Sequence, residues 1–284
     1  MKKVTTMFLA LFLCLSVASA AIAAVTVVPQ SALTPSTSYY TNDLGTALIM
    51  TGGGNSANVG SSRNDDGFSG PINLGFTLHF YGNDYTQFWA NNNGNISFTG
   101  GIAAYTPSGP QGQNVPIISP FFADVDTRNL ASGLMSINNS VANQIIITWD
   151  QVGYYSVNAD KLNSFQLVLR GDDYDVPAGE GNIGFFWKTM DWETGDASGG
   201  SGGFGGTPAA VGFGVGDGVN GQILQGSTLN GISDIVENHK IWFFSRSGDD
   251  GGPDVVDHVP EPATMLLLGL GIVGLAGARR KFKA

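Results

Sequence analysis

Asp124, Asp126 and Arg128 stand two residues apart in sequence. In an extended chain alternate side chains share a face, so both carboxylates and the guanidinium line one side. Paired carboxylates beside backbone carbonyls are a donor set that Ca²⁺ accepts, which makes Asp124 and Asp126 the candidate metal ligands. The plainer reading, and the favoured one, has the acids bond backbone amides and pair with Arg128 to fasten a loop. A second acidic knot, Gly171-Asp172-Asp173-Tyr174-Asp175, misses the EF-hand spacing because no glutamate follows at the required distance. It is expected to be a solvated turn. Trp149, Tyr154, Tyr155, Trp187 and Trp192 are enough aromatics to stack on sugar rings, but aromatics on strand faces usually fill a core. Trp149 and Trp187 are assigned to the core, and Trp192 and Tyr155, near turns, are the candidates for carbohydrate contact. His79, His239 and His258 fall in no metal-ligand spacing, and no G-x-S-x-G nucleophile elbow occurs. Glycosidase chemistry needs only two carboxylates, and no pair is singled out for it. The expectation is a protein that is not an enzyme.

The two ends carry a different kind of chemistry. Lys2 and Lys3 precede an uncharged apolar run, Met7–Ala18, and small residues crowd the stretch to Ala24. That order is a secretory signal peptide, residues 1–24, to be cut by a signal peptidase after Ala20, Ala23 or Ala24. At the other end Val259-Pro260-Glu261-Pro262 leads into the apolar run Ala263–Ala278 and then Arg279-Arg280-Lys281-Phe282-Lys283. As a helix the run rises about 24 Å, slightly short of a bilayer core, and its basic end is expected to stay cytoplasmic. Val259, Pro260, Glu261, Pro262, Arg279 and Arg280 resemble the PEP-CTERM sorting signal of Gram-negative bacteria. The resemblance implies an exosortase-type sorting enzyme as partner, a transient membrane anchor in residues 259–284, and a place beside exopolysaccharide production. Whether the tail is cut or stays as an anchor is left open by the residues.

Between the ends the chain is acidic and free of cysteine. Six of the 13 basic residues are Lys2, Lys3, Arg279, Arg280, Lys281 and Lys283, whereas the 23 acidic residues lie almost wholly in the body. Such a body has no electrostatic attraction for nucleic acid or anionic lipid. The one cysteine, Cys14, is in the leader, so no disulfide staples the exported part and stability must come from core packing or bound ions. Glycine at 41 residues, with frequent Asn and Asp, means many tight turns and little helix. Ile72–Tyr81 alternates, with Leu74, Phe76, Leu78 and Phe80 on one face. Tyr85–Ala90 follows, Asn91-Asn92-Asn93-Gly94 supplies a tight hairpin turn, and Asn95–Phe98 returns. Further strands are expected at Thr26–Val28, Ala47–Met50, Leu134–Asn138, Gln144–Trp149, Ser164–Arg170, Asn182–Lys188, Ala210–Val215 and Ile241–Arg246. Gly195–Gly206 reads as a flexible surface loop. The fold class is all-β, an antiparallel β-sandwich-like domain, with a signal helix before it and a transmembrane helix after it.

The ordered series Phe80-Tyr81-Gly82, Trp89–Phe98, Ile118–Arg128, Thr148–Tyr155, Asn163–Leu169, Trp192–Gly195 and Ala210–Gly214 resembles the extracellular NIDO domain of nidogen-type and mucin-type proteins. It covers about Phe68 to Phe244. The resemblance implies a noncatalytic extracellular module of matrix or adhesion proteins, and it transfers no ligand-binding residue. The expected organisation is a lead-in at 25–63, the NIDO-like β domain at 64–247, an acidic flexible stalk at 248–258, and the sorting signal. The expected function is an exported surface or extracellular-matrix protein in cell adhesion or biofilm structure. The alternative is a carbohydrate-binding module, calcium-assisted, that holds extracellular polysaccharide.

Overall fold

Short strands broken by Gly, Asn and Asp cannot bury both faces alone, and here they solve the problem as two sheets closed over one core. The computed structural model describes residues 25–54, 59–109, 113–248 and 252–256. The expected signal peptide, and the sorting segment with its expected helix, lie outside the described residues. No helix among the described residues is long and apolar enough to cross a membrane.

One sheet runs in the order β1 (Thr26–Val28), β15 (Gly221–Leu224), β14 (Ala210–Gly214), β9 (Ile117–Phe122), β8 (Asn95–Ser97), β7 (Asn83–Asn91), β5 (Gly67–Phe68) and β4 (Gly52–Gly53), with β6 (Ile72–Phe80) also on β7. The other runs β17 (Asp254–Val255), β16 (His239–Phe244), β13 (Ile183–Met190), β12 (Asn158–Arg170), β11 (Gln144–Tyr154), β10 (Met135–Asn138) and β3 (Thr46–Ala47), with β2 (Thr34–Pro35) on β16. The β1–β15 pair is parallel; the other strand pairs are antiparallel. Cross-sheet contacts close the core. Phe121 of β9 meets Phe165 of β12 with centroids 5.6 Å apart, and Phe213 of β14 meets Phe185 of β13 at 5.4 Å. The Trp187 indole donates to the Pro120 carbonyl across the gap at 2.9 Å.

The alternating strand Ile72–Phe80 forms as expected, with Leu74, Leu78 and Phe80 buried. The Asn91–Gly94 turn does too: Asn91 pairs with Asn95, and Gly94 takes φ +73° where a Cβ would run into the Phe121 carbonyl. Strand β9 escapes a period-2 reading because every one of its residues is buried, so it shows no alternation. Its Pro120 has no N–H to give, and the ladder to β14 shifts register there, between Ala210 and Gly212.

Three expectations change. Asp254–Val255, read as part of a flexible stalk, is a strand on the edge of β16, and the Val256 N–H donates to Trp242. Residues 195–206, read as a flexible loop, are tied internally: the Glu193 and Thr194 amides both donate to Gly203, Gly200 donates to Gly195, and Thr207 to Ser198. The lead-in is part of the body, because the Gln166 side chain and the Thr41 backbone exchange hydrogen bonds and Tyr39 donates to Asp150 at 2.7 Å. Tyr40 covers a second apolar cluster of Ile146, Val168, Phe186 and Trp242 on the outer face of this sheet.

Candidate functional site

Three chain segments that approach the end of strand β9 bring an acidic cluster together. The segment Asn64–Gly67 leads into β5, Asn92–Gly94 is the hairpin turn between β7 and β8, and Ala123–Arg128 continues from β9. Backbone bonds lock them together. Asp65 and Asp126 form an antiparallel bridge, and Thr127 donates to Asn64. The amide of Asn92 donates to Gly67, and that of Ala123 donates to Asn93.

Asn92 and Asn93, each 1 % exposed, hold the acidic segments together. Asn93 donates from its side chain to Asp66 Oδ1 at 2.8 Å and accepts the Val125 amide at 3.0 Å. Asn92 donates from its side chain to the Val125 carbonyl, and its own carbonyl accepts the Trp149 indole N–H at 3.0 Å. Asp66 sits at φ +59°, a left-handed conformation that Asp tolerates better than most residues.

The two sequence candidates for a metal part company here. Asp126 is committed to structure. Its oxygens accept the Arg128 amide and Nε, each at 2.9 Å, the Val157 amide at 2.8 Å, and a second guanidinium nitrogen. This is the loop-fastening role expected of the Asp126–Arg128 pair. Asp124 makes none of these bonds, and neither of its carboxylate oxygens has a hydrogen-bond partner although the residue is 1 % exposed. Its company is Asp65 and Asp66, and one oxygen from each of the three carboxylates lies within 4.8 Å of the others. Asp65 accepts Arg128 at 3.0 Å through Oδ2, while its Oδ1 is buried and unpartnered.

Four carboxylates therefore gather beside one guanidinium, which pairs with only two of them, Asp65 and Asp126. Burial first, and then the charges of Asp66, Asp65, Asp126 and Asp196, push the Asp124 carboxyl up to about 8. Burial and the neighbouring Asp66 and Asp126 push Asp65 up to about 7 against the pull of Arg128. Asp66 is raised as well, chiefly by burial, with the Asn93 bond acting the other way. An all-oxygen group of this kind suits a hard divalent cation and offers no nitrogen or sulfur for zinc.

The aromatic candidates are also separated. Trp192 is fully buried: its indole donates to Val152 at 3.0 Å, and its ring packs on Tyr154 and Phe121 at 5.5 and 6.1 Å. No sugar reaches it, and the assignment of Trp192 to ligand contact is corrected to core. Tyr155 is half-buried and lies under the Arg128 guanidinium, 5.7 Å from ring centroid to Cζ. Trp149 and Trp187 are core, as expected.

Asp65 and Asp66 were missed by sequence reasoning. They are adjacent acids at the end of a Gly/Ser-rich loop, almost sixty positions from Asp124, and only their adjacency in the chain could have drawn notice.

A second feature is an open polar cleft of about 750 Å³ lined by Asn73, Thr77, His79, Asp84, Thr86 and Asp172, among others. His79 bridges Asp84 at 2.6 Å and Asp172 at 3.0 Å, tying the β6–β7 hairpin to the acidic turn. Both acids are well exposed, as expected for a solvated turn at Asp172. The Asp84 bond, and then Asp172, raise the histidine above its usual range against a smaller opposing effect of burial. A raised folded-state value stabilises the protein below the unfolded value, about 6.5, and the benefit fades as pH climbs through the folded one. His79→Gln is accordingly expected to lower Tm by about 1–2 °C at pH 6 and to leave it unchanged at pH 9, because exposed pairs contribute little. Equal effects at both pH values in a melting series would show that charge is not the cause.

Comparison with known proteins adds two matches. The profile of a family described as NIDO related matches residues 34–238, and that of the PEP-CTERM protein-sorting motif matches residues 258–281. Alpha-tectorin of Mus musculus is 29 % identical over 221 residues, covering 66 % of this chain and 10 % of that protein, and the Homo sapiens protein matches to the same extent. Nidogen of Drosophila melanogaster is 30 % identical over 117 residues, 32 % of this chain and 9 % of that protein. The matched region thus spans about a tenth of the length of these relatives. No solved structure matches. Both resemblances read from the residues agree with these matches, and the NIDO-related match also takes in the second half of the lead-in.

Proposed function

The chain belongs to the NIDO-related family, and on that premise we propose that it is a noncatalytic surface or matrix module acting in cell adhesion or in exopolysaccharide and biofilm structure. The NIDO-related domain followed by a PEP-CTERM motif marks an exported surface protein. The observation that carries the reading is the order of these two parts and how little chain separates them. Val255, the last strand residue among those described, precedes the first residue of the sorting motif, 258, by three positions. At ~3.5 Å per residue, the folded sheet edge is held within ~10 Å of the sorting segment. A body tethered that closely is presented at the membrane face until an exosortase-type enzyme acts on the tail.

The noncatalytic part of the proposal draws on the acid groups and histidines. Asp124 is 1 % exposed, so no polysaccharide chain reaches it. His79 is engaged by two carboxylates and His239 by the Glu237 carbonyl at 2.7 Å.

Deleting Val259–Ala284, or replacing Pro260, Glu261 and Pro262 together with alanine, is expected to abolish correct surface display in the host. The melting temperature of the body should not change. Fractionation of the native host followed by immunoblotting reads the outcome. Display and processing that survive both changes would remove the sorting half of the proposal.

A further inference from the structure

We propose that Asp65, Asp66 and Asp124, beside the buried turn residues Asn92 and Asn93, form a Ca²⁺ site that ties three separate chain segments together. The proposal stands on unmet chemistry among these side chains as well as on the clustering of acids. Both oxygens of Asp124 and Oδ1 of Asp65 are buried without a hydrogen-bond partner. A buried carboxylate without a partner is far from its preferred state, and burying several together without a counter-charge is worse.

An independent sign comes from Asn92. Its side-chain amide donates to Val125 and its backbone amide to Gly67, so the residue is wedged between the two acidic segments. Its Oδ1 is buried and unpartnered too, a neutral oxygen of the kind that Ca²⁺ sites combine with carboxylates. Arg128 is already spread over Asp126 and Asp65. Arg63, also close in the chain, is turned to the carbonyls of Thr127, Asn129 and Ser132. No side-chain cation is thus given to Asp124. The loop that follows Trp192 packs over it: a Cβ at Gly195 would meet the Asp124 carboxylate, so glycine permits the close approach.

Oxygen-only donors point to Ca²⁺, which takes about 6–8 oxygens at flexible geometry and leaves room for carbonyls and water beside three carboxylates. Extracellular modules hold Ca²⁺ with Kd of about 10⁻⁴–10⁻³ M, so such a site fills once the chain is outside the cell. A cysteine-free exported body would then gain from an ion the cross-linking that other secreted domains take from disulfides.

The test uses the full chain purified in detergent, stripped with chelator and titrated with CaCl₂ by calorimetry and thermal melting. At a hundred-fold excess over Kd, Ca²⁺ should raise Tm by about 5–10 °C. Asp124→Asn should weaken Ca²⁺ at least tenfold while leaving Tm in chelator equal or higher, since asparagine keeps the shape and relieves the crowding of buried acids. Should Asp124→Asn fail to fold, Asp66→Asn, at a half-buried position, should show the same loss. Asp234→Asn, at an exposed helix residue, should bind Ca²⁺ as the parent does. Absence of binding heat and of a Tm shift in the folded parent overturns the site. So does an affinity that survives both cluster substitutions, or one that Asp234→Asn lowers equally. None of these outcomes bears on the sorting tail or the adhesion role, which are tested separately.

Discussion

Arg170→Ala is expected to destabilise the protein by about 3–5 kcal/mol, the range for breaking a buried charge pair from one side. Arg170 is fully buried, at the end of β12 and on the outer face of its sheet. Its guanidinium lies 4.4, 4.5 and 5.0 Å from the ring centroids of Trp242, Tyr174 and Tyr40. The same group donates to Gln144 Oε1 at 3.0 Å, the Gly181 carbonyl at 3.0 Å and Glu180 at 2.7 Å. Truncation removes all three donors at once and opens a void under three rings. It also loosens Tyr40, the residue by which the lead-in covers the outer apolar cluster. Arg170→Lys should recover only part of the loss, since an ammonium cannot reproduce the planar fork or its stacking. Urea unfolding measures both variants. A loss below about 1 kcal/mol for the alanine variant, the size of an exposed pair, would show that the cluster does not fasten the lead-in.

Trp192→Ala is the second large effect, again about 3–5 kcal/mol, from the lost volume of a fully buried indole. The backbone on either side is held by one asparagine: Asn163 Oδ1 accepts the Trp192 amide at 3.1 Å, and its Nδ2 donates to the Trp192 carbonyl at 2.8 Å. Loss of the ring frees the strip that carries Gly195 over Asp124, so a Ca²⁺-induced rise in Tm should shrink in the same variant. Trp192→Phe keeps most of the volume but leaves the Val152 carbonyl without its donor, for about 1–3 kcal/mol. Denaturation with and without Ca²⁺ separates the two contributions. An alanine variant as stable as the parent would contradict the packing and revive Trp192 as an exposed contact.

The sequence alone determined the all-β class, because Gly, Asn and Asp spacing leaves room for short strands and little else. It determined where β6 lies, because that strand has one wet face, and the alternation of Leu74, Leu78 and Phe80 follows from it. The Asn-Gly turn and the ordered motifs of the NIDO-related family were legible for the same reason: local backbone demands select residue types within a few positions. The sorting motif was legible too, since such a signal is a linear run of residue types, and the family match at residues 258–281 agrees with it.

Tertiary structure decided the rest. Strand β9 is buried on both faces and carries no period to read. Residues 195–206 and 254–255 look like linkers by composition, but the first are shaped by hydrogen bonds within the loop and from Asp196 to Tyr155, and the second by pairing with β16. Asp124 and Asp126 share a residue type and a local pattern, yet one is saturated by Arg128 and Val157 while the other is left with Asp65 and Asp66. What separates them is which remote segment the folded backbone brings to each carboxylate. That depends on the Asp65–Asp126 bridge and the buried asparagine turn, not on the spacing of Asp124 and Asp126 along the chain.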